Sequence, residues 1–371
     1  MNKISRFFEY DYIGIELGTA KMRVWIKGEG LVMEEAAAVT LAISREEVES
    51  SSADVQRVRQ DSKPRSKPRE HRILAIGAAA GEMLGKTPCN LVAVRSFIGG
   101  VICDYDITKK VLRYCLTKVN RGKFRKPRVV IAVDHYATDV EKRALEWAAH
   151  SAGTGDVFLL ESTMAAAIGA GLPVAEPKGC MVVDIGASMT NIAVVALAGI
   201  VHYRSLRVGG DEMNKAIMTY VRNKYNLLIG ERDAEDIKIK IGTASKPETE
   251  LDYEVKGIDV SKGRLLVVTV NSKEIREEAF ARALGQIEDA LREFLAHIEP
   301  EFAADIADRG LALTGGGAFL TGLDKRLANA TGLPIRVADT PAQATIRGVG
   351  VVIDELDFLS KNKRERKSFA S

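Results

Sequence analysis

Apolar residues in this chain come in short runs broken by glycine and acidic positions, and the run 181–195, MVVDIGASMTNIAVV, is the most informative. It predicts an apolar strand, a turn opened by Asp184-Ile185-Gly186, and a second strand that alternates from Ile192. The pattern occurs twice. Residues 13–26, IGIELGTAKMRVWI, place Glu16-Leu17-Gly18-Thr19 between two apolar strands in the same way. A carboxylate at the end of a buried strand is costly unless it has a partner, and a glycine just after it lets backbone amides come close to a ligand. Each turn is therefore a candidate for holding a phosphate and its metal; the alternative is an ordinary hairpin with a solvated carboxylate. A third glycine turn, Ala312-Leu313-Thr314-Gly315-Gly316-Gly317, follows an apolar strand and is expected to open a helix.

Helical spacing marks further segments. Residues 139–152 predict a helix capped by Asp139, with Val140, Ala144, Trp147 and Ala148 as its buried stripe and Glu141 favourable in the first turn. A buried strand at 157–160 leads through Glu161 into a small-residue helix at 164–170. Residues 273–298 predict one long amphipathic helix with Phe280, Leu284, Ile287, Leu291 and Leu295 inward. Two stretches break the pattern. Residues 46–72, EEVESSSADVQRVRQDSKPRSKPREHR, have almost nothing to bury and predict a flexible, solvated insertion, with lipid or partner contact through the basic run as the alternative. The charged stretch 361–367, KNKRERK, is expected to be a disordered or surface-bound tail.

At 371 residues there is ample chain for a core and for two domains or more. Hydrophobic content of 46% and charged content of 28% are those of a globular protein. A net charge of +3 is too small to point to a nucleic-acid partner. Cys89, Cys103, Cys115 and Cys180 lack metal-type spacing and fit reduced thiols. No apolar run reaches the ~18 residues of a spanning helix and none reads as a signal peptide, so membrane contact is expected to be peripheral. Two segments offer it. In MNKISRFFEY at 1–10, Ile4, Phe7 and Phe8 share one helical face flanked by Lys3 and Arg6; the alternative is a frayed end or a staple onto the body. In NRGKFRKPR at 120–128, Arg121, Lys123, Arg125 and Lys126 surround Phe124, and each basic group near an anionic leaflet contributes on the order of 1 kcal/mol; the alternative is a solvated loop.

Two acidic hairpins followed late in the chain by a strand and a TGGG turn resemble the actin-like ATPase superfamily. GEMLGKTPCNLVAVRSFIGGVICDYDIT at 81–108, MAAAIGAGL at 164–172, GGDEMNKAI at 209–217 and GLALTGGGAFLTGLDKRLANATGLPI at 310–335 are similar to MreB, the bacterial actin of rod-shaped cells. The resemblance extends over residues 12–354. It implies the α/β fold of actin, heat-shock chaperones and sugar kinases: two α/β domains about a nucleotide cleft, each with a small subdomain. The first domain is expected at 1–149 with its small part at 31–72, and the second at 150–340 with its small part at 205–270. A final helix near 343–358, within 341–371, is expected to return to the first domain, followed by the basic tail.

The resemblance also assigns a site. ATP or ADP would be held by Gly18, Thr19, Ala20 and Lys21 in the first hairpin and by Gly186, Ala187 and Ser188 in the second. Gly209, Asp211, Lys238, Gly315, Gly316 and Gly317 would complete the nucleotide site, and Glu16, Asp184 and Glu161 would hold Mg2+. Ile4, Phe7, Phe8 and Phe124 would meet the membrane.

Departures from the family pattern cluster on this site. The family's I-D-L-G-T-A-N-T is here Ile15-Glu16-Leu17-Gly18-Thr19-Ala20-Lys21-Met22, which lengthens the acid, adds a positive charge that could bind phosphate or replace the cation, and removes a hydroxyl. D-I-G-G-G-T-T becomes Asp184-Ile185-Gly186-Ala187-Ser188-Met189-Thr190, which makes any positive φ at the lost glycines costly and puts Met189 where a threonine assists catalysis. E-E-P-M-A-A-A-I-G becomes Glu161-Ser162-Thr163-Met164-Ala165-Ala166-Ala167-Ile168-Gly169, with Ser162 in place of the water-positioning glutamate. I-P-x-G-x-T becomes Val133-Asp134-His135-Tyr136-Ala137-Thr138, and the acidic residue of I-K-x-E-I-G becomes Lys240.

The resemblance thus implies a cytoplasmic cytoskeletal protein, peripheral at the inner membrane face, that forms head-to-tail protofilaments in antiparallel pairs. Its expected partners are itself, the membrane surface and the membrane proteins of cell-wall synthesis or cell shape, with no nucleic acid. The altered residues imply weak or absent ATP hydrolysis. The competing readings are a nucleotide-binding adaptor that does not polymerise alone and an active actin-fold ATPase or sugar kinase.

Overall fold

The computed structural model describes residues 12–42, 72–88, 91–95, 97–98, 101–102, 104–119 and 126–368. The candidate membrane residues Ile4, Phe7, Phe8 and Phe124, nearly all of the 46–72 insertion, Cys89 and Cys103 lie outside them.

The first hairpin joins β1 (Tyr12–Leu17) to β2 (Lys21–Ile26), and β3 (Gly30–Ala36) continues the sheet. The Gly18 N–H donates to the Lys21 carbonyl at 3.0 Å and closes a four-residue turn. That turn length sets the register: Leu17 faces Met22, Ile15 faces Val24 and Glu16 faces Arg23. Ile13, Ile15, Met22 and Val24 enter one core, while Tyr12 on the opposite face joins another.

The small outer sheet, in the order β5-β4-β6, uses β4 (Ala38–Ala42), β5 (Arg72–Ile76) and β6 (Leu91–Arg95), with α1 (Ala78–Met83) packed beside it. Its bounds differ from the expected 31–72. Residues 30–36 pair with β2 in the main sheet, and β6 completes the small sheet beyond Arg72. After the short pair β7 (Phe97–Ile98) and β8 (Val101–Ile102) come α2 (Tyr105–Val119), β9 (Arg128–Val133), α3 (Asp139–Ala152) and β10 (Val157–Glu161). The main sheet runs β10-β9-β1-β2-β3. Its edge strand β10 is only partly buried.

Helix α3 departs from its sequence reading. Thr138, not Asp139, is the cap: its hydroxyl accepts from the Glu141 N–H while the Glu141 carboxylate accepts from the Thr138 N–H. Leu145, Ala148 and Ala149 are buried, whereas Val140 is 77% exposed and Trp147 65%. The helix turns a narrow, small-residue face inward.

From α4 (Ser162–Gly169) the chain enters β11 (Cys180–Ile185), β12 (Thr190–Ala196) and β13 (Gly199–Leu206). All seven residues of β12 are buried. The alternation that begins at Ile192 therefore separates two apolar layers, with Ile192 and Val194 in one and Ala193 and Val195 in the other. Next come α5 (Gly210–Tyr225), β14 (Leu227–Leu228), α6 (Glu231–Ile241), β15 (Asp252–Asp259) and β16 (Leu265–Asn271), whose three strands form the second small sheet. The expected long helix at 273–298 is interrupted: a π turn at Ile275–Ala279 precedes α7 (Ala281–Leu295). Arg276 in that turn is buried and paired with Glu250 at 2.7 Å.

α8 (Pro300–Arg309), β17 (Leu311–Thr314), α9 (Leu323–Thr331), β18 (Ile335–Val337) and α10 (Ala344–Ser368) end the described chain. The glycine turn after β17 forms a 3-10 turn at Gly316–Phe319, and helix α9 begins only at Leu323. The second main sheet runs β13-β12-β11-β17-β18, the arrangement of the first: an antiparallel hairpin on one side of the central strand and parallel strands on the other. β1 and β11 are thus equivalent central strands. Helix α10 returns to the first sheet, placing Ile346, Val349 and Ile353 with Tyr12 and Val130, and it continues through the expected tail to Ser368. It crosses α4 at two glycines. A Cβ on Gly348 would lie 1.8 Å from the Ala165 carbonyl oxygen, and one on Gly169 would lie 1.8 Å from that of Ala344. No helix among the described residues is long and apolar enough to cross a membrane.

Candidate functional site

The two hairpin turns face each other. Gly186 repeats the geometry of Gly18, its N–H donating to the Met189 carbonyl at 2.8 Å. Ala187 and Ser188 adopt no positive φ, so the turn accommodates the loss of two glycines without backbone strain. Thr19 Oγ1 and Ser188 Oγ lie 2.8 Å apart, one from each turn. Ala20 and Lys21 are exposed at the rim of the first turn.

Beneath the turns sit Glu16 and Asp184, one from each central strand. Burial pushes the Glu16 carboxyl up to about 7, with Arg23 opposing the shift and the nearby Asp184 reinforcing it. Burial also raises Asp184, while the Thr314 hydroxyl, donating to its Oδ1 at 3.0 Å, lowers it. Arg23 is the residue that sequence reading missed. Its Nη1 donates to Glu16 Oε1 at 3.0 Å and its Nε to Glu34 Oε2 at 2.9 Å. Its side chain is 9% exposed. The three residues are cross-strand neighbours on β1, β2 and β3. The sequence points to Lys21 as the added cation of this turn, yet Lys21 is exposed and the buried cation beside Glu16 is Arg23. A signal existed: a four-residue turn after Leu17 puts Arg23 opposite Glu16.

In the second main sheet the positions equivalent to Arg23 and Glu34 are neutral. Asn191 faces Asp184, and Ser205 faces Asn191. The Ser205 hydroxyl donates to Asn191 Oδ1 at 2.6 Å and the Tyr203 hydroxyl to the same oxygen at 2.9 Å. Burial raises the Tyr203 phenol above its usual range. The Tyr203 ring lies 4.3 Å from the His135 ring and 4.9 Å from that of Tyr136, which joins β13 to the loop after β9. His135 Nδ1 is 3.0 Å from Glu161 Oε1. Ser162 and Met189 are half-buried, and neither supplies a carboxylate.

The remaining candidates meet the second turn. The Gly210 and Asp211 N–H groups donate to the carbonyls of Gly186 and Ala187 at 3.1 and 2.7 Å. A Cβ on Gly209 would lie 2.6 Å from each of those carbonyl oxygens. Lys238 donates to the Gly210 carbonyl at 3.1 Å, and burial lowers its pKa. Arg95, also missed from the sequence, reaches from the first small sheet to Asp211 and Glu231, both at 2.5 Å. Gly315, at φ +83°, and Gly317 pack against Ile185: a Cβ on either would come within 2.3 Å of it. Gly316 has open space where its Cβ would be.

The expected Mg2+ ligands do not converge as a metal centre. Glu16 carries Arg23 on one oxygen, Asp184 carries the Thr314 hydroxyl, and Glu161 is engaged by His135. Among the described residues no group of three or more His, Cys, Asp or Glu side chains is placed to hold a metal ion. The second oxygen of Glu16, Oε2, is buried and without a hydrogen-bond partner. The residues present therefore do not fit a directly ligated divalent ion.

Comparison with known proteins agrees with this architecture. The family model described as MreB/Mbl protein matches residues 10–361. The cell shape-determining protein Mbl of Bacillus subtilis is 39% identical over 352 residues, covering 95% of this chain and 98% of the relative. The cell shape-determining protein MreB of Escherichia coli K12 is 40% identical over 362 residues, covering 96% and 97%. The crystal structure of MreB5 of Spiroplasma citri bound to ADP superposes with a TM-score of 0.84 at 27% identity, covering 95% of this chain and 99% of that one. The MamK double helical filament superposes at 0.72 with 17% identity, a likeness of fold. With its two acid–glycine hairpins on equivalent central strands and its match over nearly the whole length, the chain belongs to the MreB/Mbl family.

Proposed function

We propose that this chain is a cytoskeletal subunit that polymerises head-to-tail, in antiparallel pairs, on the inner face of the membrane and organises cell-wall synthesis or cell shape. Adenine nucleotide serves in it as a structural ligand that closes the cleft and is hydrolysed weakly or not at all. The observation that carries this reading is the pairing of the two turns. Thr19 meets Ser188 above the Glu16 and Asp184 carboxylates, while Ser162 and Met189 occupy the catalytic positions of the family pattern. Spiroplasma citri MreB5, crystallised with ADP and with AMPPNP, supports the choice of ligand. Beyond Gly18 and Gly186, whose N–H groups close the turns, the backbone amides of both turns and the hydroxyls of Thr19 and Ser188 suit phosphate oxygens. Phosphoryl transfer is mostly positioning and electrostatics, and one preorganised donor is commonly worth ~3 kcal/mol of transition-state stabilisation. A serine and a methionine supply little of that. Filaments made by contacts that do not close need no chemistry.

The test is calorimetric titration of the full-length protein with ATP, phosphate release on the same sample, and pelleting with and without anionic vesicles. Binding and pelleting with little phosphate release are expected. Turnover at the rate of an active family member would overturn the weak-hydrolysis reading and point to His135, beside Glu161, as a replacement for the lost glutamate. Failure to pellet under every condition would overturn the filament reading.

A further inference from the structure

The Glu16–Arg23–Glu34 ladder calls for an explanation beyond stability. Replacing a buried ion triad by apolar residues of similar volume is often neutral or stabilising, so stability alone does not require an arginine here. The equivalent positions of the second domain, Asp184, Asn191 and Ser205, carry no cation. The difference lies just before the two turns, where the carboxylates of Glu16 and Asp184 are desolvated and close enough for Asp184 to act on Glu16.

A polyphosphate held by those turns would meet two negative groups beneath it. The usual remedy is a hydrated divalent cation between them. In this chain a positive charge is already present. The Arg23 guanidinium is permanently charged, lies 3.0 Å from Glu16 and is pinned from the far side by Glu34. It cannot leave Glu16 without stranding a buried carboxylate and a buried guanidinium together. A divalent ion arriving at Glu16 would find a single open oxygen, Oε2, and would share that carboxylate with the guanidinium. Asp184 and Glu161 already have the Thr314 hydroxyl and His135 as partners.

We infer that Arg23 is a built-in counter-cation, and that the cleft takes a nucleoside polyphosphate whether or not Mg2+ accompanies it. The inference rests on the nucleotide reading above and concerns its metal requirement. Arg23 acts through Glu16, as a positioning and charge-balancing residue.

The test measures the Kd of ATP for the full-length protein in excess Mg2+ and again in excess EDTA. In the wild type the two values are expected to agree within about threefold, less than the tenfold that corresponds to 1.4 kcal/mol. Arg23→Leu is expected to bind ATP in Mg2+ and to lose about tenfold or more in EDTA, and Arg23→Lys to behave as the wild type. Should Arg23→Leu fail to fold, the wild type and Arg23→Lys, both retaining the charge, decide alone. ATP should raise the melting temperature of each in EDTA as much as in Mg2+. A wild-type loss of more than about tenfold in EDTA overturns the inference and leaves the nucleotide reading standing. Absence of ATP binding in both buffers overturns both.

Discussion

The two halves of this molecule solve one problem in two ways. β1–β3 and β11–β13 are matching three-strand ladders, each with an acid on the strand that is central in its five-stranded sheet. In the first, the row across the ladder is Glu16, Arg23 and Glu34, alternating in charge. In the second it is Asp184, Asn191 and Ser205: Ser205 and Tyr203 donate to Asn191 through neutral hydrogen bonds, and Asp184 takes its own from Thr314. A charged row tolerates deep burial only while every charge keeps its partner. A neutral row survives partial loss more cheaply. The first hairpin is therefore the brittle one and the second the forgiving one, although both present the same turn to the cleft.

The sharpest way to break the contrast is to remove the central cation. Arg23→Leu leaves Glu16 without its counter-charge and takes from Glu34 its closest one, and is expected to cost about 3–5 kcal/mol in a denaturant titration. A double change to Glu16→Leu with Arg23→Leu should restore much of that loss. If the single variant costs no more than a surface substitution, the ladder is not under charge constraint.

A smaller effect follows from pH. Burial holds Glu16 near 7 against an ordinary value of 4.5, so the folded state binds its proton more tightly than the unfolded chain does. The stabilisation from neutral Glu16 is complete below 4.5 and is lost as pH rises through about 7. That loss is at most about 3 kcal/mol. Denaturation midpoints on either side of this window should fall with pH in the wild type and fall less in Glu16→Gln. Equal slopes would show that Glu16 is not the titrating group.

The smallest effect is expected in the neutral row. Asn191→Ala removes the acceptor shared by Tyr203 and Ser205. It should cost about 1–3 kcal/mol with little dependence on pH. A cost equal to that of Arg23→Leu would erase the distinction between the halves.

Much of the scaffold was legible because it rests on local pattern. The acid–aliphatic–glycine turn announced both hairpins, and the apolar runs around Asp184 and Glu16 announced their strands. Local pattern misled where burial depended on a distant neighbour. Trp147 has the spacing of a core residue on α3 but faces solvent, because the sheet meets that helix along Leu145, Ala148 and Ala149. The helix expected over 273–298 is broken where Arg276 turns inward to Glu250, a partner more than twenty positions earlier in the chain.

The sequence by itself determined the repeated hairpin and the apolar strands around it, and the resemblance it carries marked the residues in which this chain departs from its family's site pattern. These follow from residue type and short-range spacing, which fix strand period and turn geometry without reference to the rest of the molecule. Only the tertiary structure decided which distant charges are partners. Arg95 with Asp211 and His135 with Glu161 join separate segments, whereas Arg23 meets Glu16 and Glu34 through the register of one local ladder and needed the fold only for its burial. Whether a carboxylate is free to take a metal depends on what three-dimensional packing places beside it, because the cost and the remedy of a buried charge both depend on its immediate surroundings.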